Sequence, residues 1–201
     1  MIKLQGKLPR KIGVAVSGGV DSMAALDFLK RNHEVVVLHV NHGTGHAEEA
    51  HAFVVKYCRQ NDLEYLTHAV KGTTPPGRSR EDWWREKRYS FLEKVKDFPV
   101  VTCHHLDDCV ETWLFSSLHG NPKIIPYRRN HIVRPFRKTR KRDFELWAHV
   151  HNVPYLIDPS NDDTGFRRNY IRHEMMPHAL EVNPGIHKMI SKKVAEDEVT
   201  S

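Results

Sequence analysis

No apolar run in this sequence approaches the roughly 20 residues that a membrane span requires. The longest, Val35 to Val40, is interrupted by His39, so no membrane partner is expected. The N-terminus carries Lys3, Lys7, Arg10 and Lys11, but only Ile12 to Val16 follows as an apolar stretch. That is too short for a secretory signal, and nothing directs export. Cysteine is scarce: Cys58, Cys103 and Cys109 form an odd set with no C-x-x-C spacing. This argues against a disulfide framework or a paired zinc or iron-sulfur site, and it fits a reducing cytoplasm. The pattern G-x-x-x-x-G-K-[ST] is also missing, and with it the phosphate lysine of γ-phosphoryl transfer, which argues against a Walker-type ATPase or kinase. Internal repeats and low-complexity tracts are lacking too. Between Lys123 and Arg142 there is no acidic residue, against nine Lys/Arg.

What is present suits one folded domain, with 39% apolar and 28% charged residues over 201 positions. A chain of this length buries roughly 70% of the surface its unfolded form exposes. The formal charge of +6 and pI near 9.2 favour a polyanionic partner.

Lys11 to Ser17 reads as a buried strand, and Val20 to Arg31 follows with apolar residues near a helical period. The alternation continues with a strand over Glu34 to Asn41, a helix over His46 to Gln60 and a strand over Glu64 to Val70. Arg80 to Val95 then reads as a helix, Pro99 to Cys103 as a strand and Asp107 to Leu118 as a helix. The expected fold class is α/β: a Rossmann-like open parallel sheet with helices on both faces. Ligands of such sheets bind beyond the carboxyl ends of the strands, where strand order switches. Beyond Gly120 the chain reads as basic, then helical around Phe144 to Val150, turn-rich over Asp158 to Gly165, and helical again from Arg167 towards Leu180. Ser191 to Ser201 is polar and is expected to fray.

The sharpest motif is Ser17-Gly18-Gly19-Val20-Asp21-Ser22, which joins a strand to a helix start. Glycine lets the backbone approach a phosphate closely, and the first helical N–H groups favour anions. Asp21 repels phosphate unless a cation intervenes, so it is assigned to Mg²⁺. The plainer alternative is a glycine turn with serine caps. A second cluster is His104-His105-Leu106-Asp107-Asp108 with Glu111 and Thr112. Asp107 and Glu111 share a helix face, with Asp108 beside them. Three carboxylates in a phosphate crevice need a metal or a cationic substrate, while the alternative is an ordinary preference of acids for helix starts. A zinc site at the two histidines lacks a spaced third ligand.

The first motif resembles the SGGxDS loop of the N-type ATP pyrophosphatases, which cleave ATP to AMP and pyrophosphate while adenylating a substrate. His104 to Thr112 resembles the HHxDDxxET element of tRNA(Ile)-lysidine synthases, with Cys109 where that family usually has glutamine. Leu38 to Gly43, Glu81 with Arg85, Arg88 and Tyr89, Arg134-Pro135-Phe136, and Asp158 to Asn161 with Arg168 to Arg172 and Pro177 match in the family's order. The resemblance implies a PP-loop catalytic domain over residues 1–190, with 119–190 as its basic, tRNA-contacting part. It implies ATP on Ser17, Gly18, Gly19, Val20, Asp21 and Ser22, adenosine near Asn41, and Mg²⁺ on Asp21 with Asp107 or Asp108. It also implies phosphate or adenylate contact at Arg85 and Arg88, and tRNA contact through Arg134, Arg168 and Arg172. The implied reaction joins free lysine to the wobble cytidine of a CAU anticodon.

Members of that family continue into further domains that help grasp tRNA, whereas this sequence stops soon after the region of resemblance. The glycine-rich segment usual after the ET element is replaced by Ser116 to Pro122. The basic stretch Lys123 to Arg142 reads either as a compensating phosphate-binding surface or as a solubilising one. Two other readings stand beside the main one: the same adenylation with another acceptor, as in tRNA thiolation or amidation, and a non-catalytic RNA-binding module. Absence of C-x-x-C weakens thiolation, and the intact Asp21, Asp107 and Asp108 weaken the module.

Overall fold

The computed structural model describes residues 1–199. Strand β1 (Lys11–Ala15) leads into helix α1 (Val20–Leu29), then β2 (Glu34–Asn41), α2 (Gly45–Gln60) and β3 (Glu64–Ala69). Helix α3 (Arg80–Leu92) returns the chain to β4 (Val100–Val101), followed by α4 (Leu106–Leu118). A short hairpin of β5 (Arg128–Arg129) and β6 (Ile132–Val133) completes the sheet. The remainder is helical: α5 (Lys141–Val150), a 3₁₀ turn at Pro159–Asp162, α6 (Arg167–Tyr170), a π turn at Ile171–Met175, α7 (Met176–Val182) and α8 (Ile186–Val199).

The strand order is β3-β2-β1-β4-β6-β5, parallel except for the β5–β6 edge. The chain builds outward from β1 through β2 to β3, then crosses back to place β4 on the other flank of β1. The strand order therefore reverses between β1 and β4, which is where an open α/β sheet leaves a crevice.

Both faces of the sheet are covered, which is why β2 is a nearly unbroken β-branched run. Val35 and Val37 pack with α1, α2 and α5, whereas Val36 and Leu38 pack with Tyr89 and Leu92 of α3. Gly13 in β1 allows this closeness, since a Cβ there would stand 2.9 Å from Phe98 and 3.0 Å from Leu38. A third cluster joins Leu106, Cys109 and Val110 of α4 to Met176 of α7 and Ile186, Ile190 and Val194 of α8. No helix among the described residues is long and apolar enough to cross a membrane.

Two expectations are corrected and one is refined. The segment from Ser191 does not fray over residues 191–197: α8 continues, Val194 is fully buried, and Asp197 pairs with Arg137. Thr200 and Ser201 of that segment lie outside the described residues. The helix expected from Arg167 towards Leu180 is present but irregular: Pro177 cannot donate a backbone hydrogen bond, and the turn before it widens to a π turn without interrupting the helical path. The basic stretch Lys123 to Arg142 is no continuous surface. It contains the β5–β6 hairpin and buries Arg134 and Arg137 to 2% and 0% exposure.

Helix α1 lies in the middle of the molecule, yet carries one buried acid, Asp27. Its carboxylate accepts from Trp147 Nε1 of α5 at 3.0 Å and pairs with Arg31 at 2.9 Å and Lys30 at 3.1 Å. Burial pushes its pKa up, but the bonds from Trp147, Arg31 and Lys30 outweigh this and leave it below the ordinary 3.8. A folded pKa below the unfolded one means that this contribution is present above pH 3.8 and is lost as pH falls through the lower folded value. Asp27→Ala is expected to cost about 2–3 kcal/mol at pH 7 in urea denaturation. Below pH 3.8 its deficit relative to wild type is expected to shrink.

Candidate active site

The glycine turn follows directly from β1. Ser22 organises it: its hydroxyl accepts from Ser17 N at 3.2 Å, lies 3.2 Å from Ser17 Oγ and donates to Gly19 O at 2.9 Å. Gly18 has φ +96°, a conformation that side-chain-bearing residues rarely adopt, and its carbonyl accepts from Leu156 N at 2.9 Å. Gly19 caps α1 without any side-chain hydrogen bond, so Val20 and Asp21 open the helix with no side chain closing it. Helix N–H groups left in this state favour an anion.

The second motif follows β4, on the neighbouring strand. His105 caps α4: Asp108 N donates to His105 Nδ1 at 3.2 Å while His105 N donates to Asp108 Oδ2 at 2.9 Å. On its other side, His105 Nε2 stands 3.7 Å from Asp21 Oδ2. The ring, 2% exposed, thus lies between the acid of the glycine turn and the acids of α4. Burial pushes its pKa down, but Asp108, Asp21 and Asp107 raise it to about 9. The bond from Asp108 N needs the Nδ1 lone pair, so the capping geometry belongs to the neutral ring even though the carboxylates favour the cation.

The three acids differ in what they have left to offer. Asp107 is fully engaged: it accepts from Lys141 N at 2.8 Å, His187 Nε2 lies at 3.0 Å, and Arg140 Nε donates at 3.3 Å. Burial raises its pKa, but His187, the Lys141 N–H, His105 and Arg140 hold it well below the usual carboxylate range. Asp107 thus ties α4 to α5 and α8, and of the two α4 acids expected at Mg²⁺ it is the more engaged. Asp21, by contrast, has a buried Oδ1 with no hydrogen-bond partner. Asp108, beyond its capping bond, lies 3.5 Å from His105 Nδ1 and 3.6 Å from Arg172 Nη2.

No group of three or more His, Cys, Asp or Glu among the described residues is arranged to hold a metal ion. Two carboxylates flanking His105 do fit Mg²⁺, which keeps waters and takes substrate phosphate oxygens as its remaining ligands. Asp21, with its unsatisfied oxygen, and Asp108 are the residues that suit it.

The arginines divide in the same way. Arg172 makes a fork on Glu111, with Nε at 2.8 Å from Oε1 and Nη2 at 3.1 Å from Oε2. Burial lowers the Arg172 pKa and Glu111 more than restores it. Arg134 donates to Pro126 O at 2.9 Å and to Tyr89 Oη at 3.1 Å. Of the arginines expected at tRNA, Arg134 is thus buried and Arg172 is engaged by a carboxylate. Arg168 remains near the surface, paired with Glu81 at 3.0 Å. Arg85 and Arg88 lie against Tyr89, at 5.0 and 5.8 Å from its ring centre. Asn41, 5% exposed, accepts from Gly43 N at 2.8 Å and so shapes the turn after β2.

Sequence reasoning missed His105 as the centre of the acidic cluster. Its signal was its place three residues before Asp108, the spacing of a reciprocal cap. It named Tyr89 without giving it a role, and it missed Leu156 and His187, whose partners are distant in the chain.

A family model described as a PP-loop domain matches residues 2–179. The chain is 30% identical over 199 residues to the tRNA(Ile)-lysidine synthase of Francisella tularensis subsp. holarctica, covering 92% of this chain and 50% of that protein. It is 30% identical to the tRNA(Ile)-lysidine synthase of Thermotoga maritima, with 90% and 48% covered, and 32% identical to that of Lactiplantibacillus plantarum, with 89% and 44% covered. The chain spans about half the length of the curated relatives it matches.

The division among the acids is open to measurement. Asp107→Ala removes the acceptor for three groups and is expected to cost about 2–4 kcal/mol in urea denaturation. Asp21→Asn is expected to change stability by less than about 0.5 kcal/mol. Equal losses in both variants would contradict the assignment of Asp107 to the fold and Asp21 to a ligand.

Proposed function

The chain belongs to the PP-loop domain family, and from that premise we propose that it is an ATP-cleaving tRNA-modifying enzyme that ligates lysine to a wobble cytidine. The observation that carries the reading is the meeting of Asp21 and Asp108 on either side of His105 at the reversal of strand order. The open start of α1, with the hydroxyls of Ser17 and Ser22, suits the phosphates of ATP. Arg85 and Arg88 offer countercharge from the α3 side. Asp21 and Asp108 would hold Mg²⁺, which neutralises phosphate charge when bound.

In the first step the cytosine O2 attacks the α-phosphorus of ATP and pyrophosphate leaves. The uncharged ε-amine of lysine then attacks C2, and AMP departs with the oxygen. Adenylation thereby converts a poor leaving group into a good one. The protein's part is largely positioning and charge compensation, for which the two helix starts and the Arg85 and Arg88 guanidiniums are suited. Among the arginines expected to touch tRNA, Arg168 retains the exposure to do so, with its side chain 46% exposed. The non-catalytic alternative is opposed by the unsatisfied buried oxygen of Asp21, a costly feature for a protein that binds nothing there.

The test combines the protein with labelled ATP, lysine and a CAU-anticodon tRNA, and follows pyrophosphate release together with lysine incorporation. Both products are expected, and both are expected to fall about 100-fold or more in Asp21→Ala while its melting temperature holds. Pyrophosphate without incorporated lysine would move the assignment to another acceptor. Neither product would favour the RNA-binding module.

A further inference from the structure

Tyr89 is 3% exposed, yet four guanidinium groups surround its ring: Arg129 at 4.5 Å, Arg85 at 5.0 Å, Arg88 at 5.8 Å and Arg134 at 5.9 Å from its centre. Its hydroxyl also accepts from Arg134 Nη2 at 3.1 Å. An aromatic face attracts a cation through its quadrupole, and a phenolic oxygen adds a hydrogen-bond acceptor. Neither supplies a full negative charge, so the four cations are gathered by groups that do not neutralise them.

The shortage of countercharge is specific. Arg129 pairs with Glu93 at 3.0 Å. Arg134 bonds only to neutral acceptors, Pro126 O and Tyr89 Oη, and its Nε is buried with no partner. Arg85 and Arg88 have no carboxylate within ion-pairing distance among the described residues. Burial lowers the pKa of both, Tyr89 partly offsets this, and neighbouring arginines including Arg168 lower it further. A cationic group held largely out of water with no paired anion is costly unless a ligand brings the charge.

The cluster also has access to solvent and to the crevice. Arg85, Tyr89 and Arg129 line a groove of about 730 Å³, in which the acids Glu86 and Glu93 are paired with Arg78 and Arg129 and Asp82 also borders the space. On the other side the field of Arg134, Arg88 and Arg85 reaches His104, and Arg88 feels Asp108.

We propose that Tyr89, braced by Arg134, is a positioning residue that holds Arg85 and Arg88 together as a receptor for a multiply charged phosphate group. This rests on the reading that the crevice takes phosphate-bearing substrates. The phosphate belongs either to the pyrophosphate part of ATP or to the RNA backbone. A planar guanidinium recognises both in the same bidentate way, so geometry at the arginines is what Tyr89 controls.

Wild type, Tyr89→Leu and Tyr89→Phe are titrated with inorganic pyrophosphate and, separately, with a CAU anticodon stem-loop, and the thermal unfolding of each is recorded. Tyr89→Leu is expected to lose about tenfold in affinity for one of the two ligands, and the ligand affected names the source of the phosphate. Tyr89→Phe keeps the ring and loses only the bond to Arg134, so it is expected to recover most of that loss while staying about threefold weaker than wild type. A cooperatively folding Tyr89→Leu that binds both ligands within about twofold of wild type would overturn the proposal, whatever its melting temperature. Should Tyr89→Leu fail to fold, Tyr89→Phe and Arg134→Lys decide. Each is expected to bind one ligand more weakly, and wild-type binding of both ligands by both variants would overturn the proposal. Lysine incorporation plays no part in this readout. Failure of the ligation reaction therefore leaves the positioning role intact, and failure here leaves the reaction intact.

Discussion

The crevice depends on β1 pairing in parallel with both β2 and β4. Parallel neighbours end on the same side of a sheet, so the turns that leave β1 and β4 must open towards the same space. Because the chain departs from β1 in one direction and arrives at β4 from the other, the connecting helices do not close that space. Two helix starts then face it, each with the positive end of its dipole forward, and acids placed there are tolerated. Asp21 from one turn and Asp108 from the other come to rest on opposite sides of His105 for this reason.

Around that frame, a few of the chain's arginines are spent inside the molecule. Arg137 has no exposed side-chain surface and holds the carbonyl of Ile125 and the carboxylate of Asp197, which joins the segment before β5 to α8. Arg134 does the same for Pro126 and Tyr89, and Arg172 fixes the π turn to Glu111 of α4. A guanidinium has several donors in one plane and is weakly hydrated, so it can satisfy carbonyls in stretches where no ladder does so. A net positive charge thus says less about the surface than it first suggests. What faces outward around Arg85 and Arg129 is a smaller group of cations interleaved with Asp82, Glu86 and Glu93.

The longer elements were legible because their signals are local. The run Glu34 to Asn41 is a strand at both of its expected ends, and α2 begins one residue before its expected start. β4 was placed correctly but shrinks to Val100–Val101, since only two residues find partners in register. The β5–β6 hairpin escaped notice because a pair of two-residue strands carries no period to read. At the site, Ser17 to Ser22 and His104 to Asp108 stood out as motifs. Asp107 and Asp108 could not be told apart, because both open the same helix and differ only in what lies across from them.

The sequence by itself determined the alternation of strand and helix, the glycine turn after β1 and the acidic start of α4, since each follows from near neighbours and their backbone preferences. Tertiary structure decided which groups in those motifs remain available. Asp107 is taken by Lys141 and His187, Arg172 by Glu111, and Arg134 by Pro126 and Tyr89, while Asp21 Oδ1 is left without a partner. Availability depends on contacts between segments far apart in the chain, and no local pattern of residue types carries that information.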